Sequence, residues 1–151
     1  MARREATLQH SMQFKDARAS EALEEAALAR ERAYAPYSRF KMGAAVVTEH
    51  NDVIPGSLVE NVSLGLAMCA ERSALFSTVA RGGGQPEILA LVAPRTSGKL
   101  TWPCGACLQV AQELGGPDLL VVVSDGAGAV EQARLCDLAP RFPFKRSRGI
   151  P

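Results

Sequence analysis

The stretch LVENVSLGLAMCAERSAL, residues 58–75, places a cysteine two residues before a glutamate at the start of a helical pattern. We predict that this helix runs from Cys69 to Arg81, because three glycines follow it and glycine commonly ends helices. Further along, WPCGAC at residues 102–107 opens a second predicted helix, CGACLQVAQELGG, which also closes on glycines. Both cysteine-bearing segments are therefore expected at helix N-termini, which carry partial positive charge and free N–H groups.

Apolar segments alternate with these helices and predict the fold class. The segments are FKMGAAVVTE (40–49), VIPGSLVE (53–60), EILALVAP (87–94), DLLVVVSD (118–125) and one or two residues of EQARLCDLA (131–139), which also predicts a short helix. An earlier helix is expected to be capped by Ser20 and to end before Pro36. This alternation predicts an α/β fold, a three-layer α/β/α domain around a central mixed five-stranded sheet. One domain is predicted over 16–144, between a flexible N-terminus at 1–15 and a flexible tail at 145–151.

The composition argues against several classes of partner. The formal net charge is +1, and no basic patch interleaved with aromatic residues is present, so nucleic acid is not an expected partner. No apolar run approaches the roughly 18–20 residues of a membrane-spanning helix, and the N-terminus lacks the apolar segment of a secretion signal. These features predict a cytoplasmic protein that binds neither nucleic acid nor membranes. In that reducing compartment, cysteines more often bind metals or act in catalysis than form disulfides.

The chain has four cysteines, Cys69, Cys104, Cys107 and Cys136. A helix N-terminus lowers the pKa of a cysteine and favours the thiolate, which is the form that binds metal. The Cys-x-x-Cys pair at 104 and 107 is a common half-site for zinc, and Cys69 can supply a third ligand. Three protein ligands are typical of a catalytic zinc, which keeps one position for water, whereas a structural site takes four. We assign Cys136 to the core and both histidines to the surface.

Two charged residues follow Cys69 directly in this pattern. Glu71 is predicted to move protons between zinc-bound water and a substrate. Arg72 can offset the excess negative charge that three thiolates bring to Zn²⁺, although the spacing is equally compatible with a solvent-facing arginine. Zinc deaminases combine these parts, with three cysteines or one histidine and two cysteines as ligands and a non-ligand glutamate as acid and base.

Four segments resemble, in the same order, the small homo-oligomeric cytidine deaminases. They are AYAPYSRFKMGAAVVT, VENVSLGLAMCAERSALF, PCGACLQVAQEL and LCDLAPRFPF, and the likeness covers residues 19–144. The resemblance implies a zinc-dependent aminohydrolase with one Zn²⁺ per subunit that converts cytidine or deoxycytidine to the uracil nucleoside and ammonia, as in pyrimidine salvage. It implies that zinc-bound hydroxide attacks C4 while Glu71 passes protons to N3 and to the leaving amino group. It also implies a homotetramer, or a homodimer, with sites built from more than one chain.

The same resemblance assigns the contacts with a nucleoside. Phe40 matches an aromatic residue that packs against the substrate, although it is equally compatible with a core residue that opens a strand. Glu60 matches a glutamate that hydrogen-bonds the sugar hydroxyls. The backbone at Ala70 and Cys104 matches groups that bind the base carbonyl and the zinc-bound oxygen.

The sequence departs from this family pattern in the segments that recognise the substrate. Leu58 stands where the family has an asparagine that holds the ribose, and Trp102 replaces a small polar residue near the leaving-group side of the pocket. Leu64 and Leu108 replace an aromatic residue and an arginine. A site that loses a hydrogen-bonding partner loses discrimination between substrates. A modified cytosine nucleoside, as used by blasticidin S deaminases, or another aminated heterocycle is therefore an alternative substrate.

Three other functions remain open from the sequence. The first is a catalytically silent, structural zinc protein or binding module, against which Glu71 argues because a structural site has no use for that acid. The second is a polynucleotide deaminase, against which the near-neutral charge argues. The third is a thiol oxidoreductase, whose Cys-x-x-Cys pair would be free of metal.

Overall fold

The computed structural model describes residues 16–144, and segments 1–15 and 145–151, where the sequence predicts flexible ends, lie outside the described residues. The helices are α1 (Arg18–Glu31), α2 (Ala70–Ala80), α3 (Gly105–Gly115) and the short α4 (Leu135–Leu138), with a 3-10 turn at Leu64–Leu66. The strands are β1 (Gly43–Thr48), β2 (Val53–Ser57), β3 (Pro86–Val92), β4 (Leu120–Ser124) and β5 (Val130–Arg134). None of the helices in the described part of the chain is long and apolar enough to cross a membrane.

The five strands form one mixed sheet in the order β2-β1-β3-β4-β5. Strands β3 and β4 are parallel, and the other neighbouring pairs are antiparallel. The prediction of a mixed five-stranded sheet is therefore confirmed. Strand β5 is longer than the one or two residues predicted, because all five of its residues pair with β4, from Leu120↔Arg134 to Ser124↔Val130.

Helices cover both faces of the sheet, and each face has its own apolar core. Successive side chains on a strand point to opposite faces, so Val46 and Leu89 pack with α2 and α3, whereas Val47 and Ile88 pack with α1. Strand β1 is buried at all six positions. Because both faces of a central strand are covered, its apolar residues are consecutive rather than alternating with polar ones. The three-layer α/β/α prediction is confirmed.

Two glycines allow helices to approach the sheet closely. A Cβ atom on Gly43 would lie 2.1 Å from the carbonyl oxygen of Ala26 in α1. On the other face, a Cβ atom on Gly56 would lie 2.3 Å from the backbone nitrogen of Ala74 in α2. Only a hydrogen fits at either position, so these glycines set the distance of α1 and α2 from the sheet. Gly56 thereby helps to position the N-terminus of α2, which directly follows Cys69.

The predicted N-cap of the first helix is wrong. Ser20 lies inside α1, and its hydroxyl has no hydrogen-bond partner among residues 16–144. The N-cap position is Ala17, and Asp16 accepts a hydrogen bond from the Arg18 amide at 3.0 Å. The helix starts earlier because this aspartate satisfies a free N–H group of the first turn.

Candidate active site

Two helix N-termini bring cysteine side chains together. Cys69 and Cys104 are the N-cap residues of α2 and α3, and both have an extended backbone with ψ values of 150° and 167°. Their carbonyl groups begin the helices by accepting hydrogen bonds from the amides of Ser73 and Leu108. Neither cysteine side chain makes a capping hydrogen bond, so both sulfur atoms are available to a ligand.

The Sγ atoms of Cys69, Cys104 and Cys107 all lie within 4.8 Å of one another, and those of Cys104 and Cys107 are 3.6 Å apart. Around a tetrahedral zinc ion with bonds of about 2.3 Å, sulfur ligands are separated by about 3.8 Å. Cys107 is buried, whereas Cys104 is exposed, so the cluster is open on one side. The three sulfurs fit one Zn²⁺ and leave access to a fourth coordination position.

The remaining cysteine and the histidines lie apart from this cluster. Cys136 is half-buried in α4, and its amide donates to the carbonyl of Pro117. His50 is exposed beside Glu49, and His10 lies outside the described residues. The cluster within residues 16–144 thus consists of three cysteines, the number typical of a catalytic rather than a structural zinc site.

Arg72 and the neighbouring thiols stabilise a thiolate at Cys69. A hydrogen bond from Cys107 is the main cause that lowers the pKa of Cys69 to about 5. The Arg72 guanidinium, with Nη2 at 3.5 Å from the Cys69 sulfur, lowers this pKa further. The same hydrogen bond with Cys69 raises the pKa of Cys107. Arg72 thus lies where it can offset the negative charge of the sulfurs.

Glu71 is buried beside the cluster, on the first turn of α2. Its side chain is 1% exposed, and its Oε2 atom has no hydrogen-bond partner among the described residues. Burial is the main cause that raises the pKa of Glu71 to about 7, and the charge of Cys69 raises it further. A buried carboxyl oxygen without a partner is rare in proteins and indicates a place where a ligand completes the hydrogen bonding.

Three chain segments meet beside the start of α2. Val59 and Met68 exchange backbone hydrogen bonds of 3.0 and 2.9 Å. The amide of Glu60 donates to the carbonyl of Tyr34 at 2.8 Å. Because Met68 directly precedes Cys69, these bonds hold Glu60 close to the first cysteine of the cluster.

The carboxylate of Glu60 binds the segment that leads to Phe40. Its Oε2 accepts hydrogen bonds from the amides of Tyr37 at 2.9 Å and Ser38 at 3.3 Å, and its Oε1 accepts one from the Ser38 hydroxyl. The Ser38 oxygen in turn accepts a hydrogen bond of 3.0 Å from the amide of Phe40. The Ser38 hydroxyl is the main cause that holds the pKa of Glu60 below its usual value. Glu60 and Phe40 are predicted from the sequence but Ser38 is not, although serine is a common local hydrogen-bonding partner in turns.

Leu58 lies in a small apolar cluster of its own. It is 9% exposed and packs with Ala33 and Ala35, and Met42 lies against the same cluster. At this position the chain therefore has an apolar side chain that packs against apolar neighbours and offers no hydrogen bond.

The other predicted site residues differ in burial. Phe40 and Trp102 are half-buried against the core that contains Ala70, which is completely buried. Leu108 belongs to the same core, whereas Leu64 is 86% exposed. The structure thus brings Phe40 and Trp102 to one core with Ala70 and leaves Leu64 on the surface.

A separate cavity of about 550 Å³ lies at the other end of α3. Gln85, Gly115 and Arg134 line it, together with Arg18 and its partners. Arg18 forms ion pairs of 2.8 Å with both Asp16 and Glu87, so these three charges satisfy one another. The cavity is about 16 Å along α3 from the N-cap cysteine, and its lining includes none of the cluster.

Comparisons with known proteins agree with the geometry of the cysteine cluster. Residues 16–123 match the cytidine and deoxycytidylate deaminase zinc-binding region. The cytidine deaminase of Halalkalibacterium halodurans is 39% identical over 118 residues, which cover 78% of this chain and 88% of that protein. The cytidine deaminase of Mycobacterium tuberculosis is 43% identical over 108 residues, with 72% and 76% covered. The crystal structure of the Burkholderia pseudomallei cytidine deaminase matches with a TM-score of 0.76 and 48% identity, over 81% of this chain and 96% of that one.

Proposed function

The chain belongs to the cytidine deaminase family, and from this premise we propose that it hydrolyses the C4 amino group of a cytosine nucleoside. In this reaction the C4–N bond breaks and a C4–O bond forms from water. One proton of the water passes to N3 and the other to the amino group, which departs as ammonia. The product is the uracil nucleoside. The proposal rests on one observation, the convergence of three cysteine sulfurs beside a buried glutamate whose Oε2 atom lacks a partner among residues 16–144.

Cys69, Cys104 and Cys107 are the residues that would hold Zn²⁺. When bound, zinc supplies the Lewis acidity that makes water a nucleophile near neutral pH. Arg72 contributes a fixed positive charge next to the Cys69 sulfur and thereby offsets the negative charge of three thiolates.

Glu71 is the proposed catalytic acid and base. Its burial on the first turn of α2 separates it from bulk solvent, so its free oxygen can take a proton from the attacking water and return it to the substrate. A rigid helix holds the carboxyl group in one orientation, which favours both transfers from the same atom.

The nucleoside is proposed to lie across the two helix N-termini. Backbone N–H groups there lack partners within the helix, so Ala70 and Cys104 are suited to bind the base carbonyl and the reacting oxygen. Phe40 and Trp102 are proposed to pack against the substrate. Glu60 already accepts three hydrogen bonds from the chain, which leaves about one acceptor position for a sugar hydroxyl.

The test is ammonia release by the purified, zinc-loaded protein from cytidine and deoxycytidine, with Glu71→Gln as the blank. Cytosine, adenosine and blasticidin S complete the panel. Release from the two nucleosides that stops in the variant supports the proposal. If the zinc-loaded, folded protein releases ammonia only from blasticidin S, the substrate is a modified nucleoside. If it releases ammonia from none of these compounds, the assignment is wrong.

We also propose that four chains assemble into a homotetramer in the cytoplasm. Large apolar side chains are exposed within residues 62–79, which suggests a surface that another copy covers; they are Val62, Leu64, Leu66, Phe76 and Val79. A reducing compartment suits a site that needs three free thiols. Light scattering is expected to give about 64 kDa, four times the 16.1 kDa of the chain, whereas about 32 kDa would indicate the homodimer.

A further inference from the structure

We propose that Ser38 is a positioning residue for nucleoside binding, because it connects the carboxylate of Glu60 to the backbone of Phe40. The proposal rests on the proposed deaminase function. It assigns a role to a residue that touches neither the metal cluster nor the reacting atoms. The side chain acts through its two neighbours in the hydrogen-bond network.

Ser38 uses its hydroxyl group in two directions. The hydroxyl donates its proton to Oε1 of Glu60, and the same oxygen accepts the N–H of Phe40 at 3.0 Å. One hydroxyl has a single donor and two acceptor positions, so both bonds can exist together. Alanine at this position would remove both bonds in one step and would free the amide of Phe40.

The segment around Ser38 needs such support because its backbone conformation is unusual. Arg39 has a φ of 58°, which lies in the left-handed region that residues other than glycine disfavour. Within the segment, the Arg39 amide donates to Ala35 and the Lys41 amide donates to Arg39. The remaining amides, those of Tyr37, Ser38 and Phe40, all depend on the Glu60–Ser38 pair.

Ser38 also joins two parts of the site that are distant in sequence. Glu60 is held beside the start of α2 by the backbone bonds between Val59 and Met68. Phe40 packs against the core on the same side of the sheet. A change at Ser38 therefore alters the position of Phe40 relative to Glu60, while both side chains remain present. Leu58, buried among alanines, offers no second polar group to compensate.

The expected effect is on binding rather than on chemistry. Phe40 and Glu60 contact the nucleoside in the proposed function, and they contact it equally before and during reaction at C4. Loss of a contact that is equally strong in the ground state and in the transition state raises KM and leaves kcat unchanged. Because the segment 37–39 is exposed, water can replace the lost hydrogen bonds, so the segment loses its local order while the thermal stability of the whole domain should hardly change.

The experiment compares Ser38→Ala with Ser38→Thr, which keeps the hydroxyl, in the zinc-loaded protein. The matched control is Ser97→Ala, since Ser97 is also exposed, lies in a turn after β3 where the backbone also takes a positive φ, and is outside the surface proposed for assembly. We expect Ser38→Ala to raise the KM for cytidine by roughly three- to tenfold with an unchanged kcat and Tm. Ser38→Thr and Ser97→Ala should behave as wild type. Wild-type KM in Ser38→Ala, or a parallel loss of kcat and Tm, would overturn the proposal.

A second measurement separates this inference from the deaminase assignment. Amide exchange followed by NMR reports on the Phe40 N–H without any substrate. Faster exchange of this amide in Ser38→Ala but not in Ser97→Ala supports the network, and unchanged exchange overturns it. If the wild-type protein releases no ammonia from any nucleoside, the proposed function fails, and the exchange data still decide whether Ser38 holds Phe40.

Discussion

The Nη2 atom of Arg72 lies 3.5 Å from the Sγ atom of Cys69. Cys69 is the N-cap residue of α2, and Arg72 follows it three residues later in the first turn. This contact places a permanent positive charge against one of three sulfurs that would otherwise concentrate negative charge on a bound metal. A metal with too much donated charge is a weaker Lewis acid, so we propose that the arginine preserves the reactivity of the site.

Arg72→Gln is therefore expected to keep the fold and to reduce kcat by about 10- to 100-fold, the usual range for a group that supports metal ligands. Arg72→Lys should retain part of the activity, because lysine keeps the charge and loses the planar guanidinium. Steady-state kinetics with zinc content measured in parallel provides the check. Full activity in a zinc-loaded Arg72→Gln protein would show that the charge has no role.

Glu71→Gln is expected to abolish turnover and to retain zinc. Glutamine has almost the same shape, so the buried position remains filled, but it can no longer accept and return a proton. A loss of roughly 10²- to 10⁴-fold in kcat is typical for a general acid and base. Metal analysis and ammonia release on the same sample check this expectation, and a fully active variant would remove Glu71 from the mechanism.

Cys104→Ala is expected to lose zinc and to lower the melting temperature. Two remaining sulfurs give an incomplete donor set, and a protein whose folded state binds metal is destabilised when the metal is lost. Cys136→Ala is the matched control, because Cys136 lies in α4 outside the cluster. Elemental analysis should give one zinc per chain in the control and close to none in Cys104→Ala. Equal zinc in both proteins would mean that the ligand set is wrong.

The cysteine cluster was predictable from sequence because its parts are local to two helix starts. Cys69 and Glu71 are separated by one residue, and Cys104 and Cys107 by one helical turn, so the spacing itself fixes which side chains share a helix end. The central strands were equally predictable, since β1 and β3 are buried between two helical layers and consist almost entirely of apolar residues.

Features that depend on distant contacts were missed. Ser38 acts through Glu60, which is 22 residues away, and nothing in the local sequence shows that the two side chains meet. Strand β5, VEQAR, is partly exposed at the edge of the sheet and lacks the apolar pattern that marks the central strands. At the start of α1, the Asp16 carboxylate accepts the hydrogen bond from the Arg18 amide, whereas Ser20 lies inside the helix and its hydroxyl has no partner among residues 16–144.

Gly56→Ala is expected to destabilise the protein by about 3 kcal/mol, near the upper end for overpacking, because the added Cβ would meet backbone atoms that cannot rotate away. The contacts are the nitrogen of Ala74 at 2.3 Å and the carbonyl oxygen of Ala70 at 2.5 Å, both in the first turns of α2. Relief requires α2 to move away from the sheet, which would also move Cys69 relative to the other two sulfurs.

Gly65→Ala is the control, because a Cβ at Gly65 has no heavy atom within 4 Å among the described residues. Thermal unfolding of the zinc-loaded proteins should show a decrease of roughly 10 °C for Gly56→Ala and almost none for Gly65→Ala. A weaker affinity for zinc should accompany the lower stability, since the same displacement affects both. If Gly56→Ala unfolds at the wild-type temperature, the contact between β2 and α2 does not set the position of the cysteine that precedes the helix.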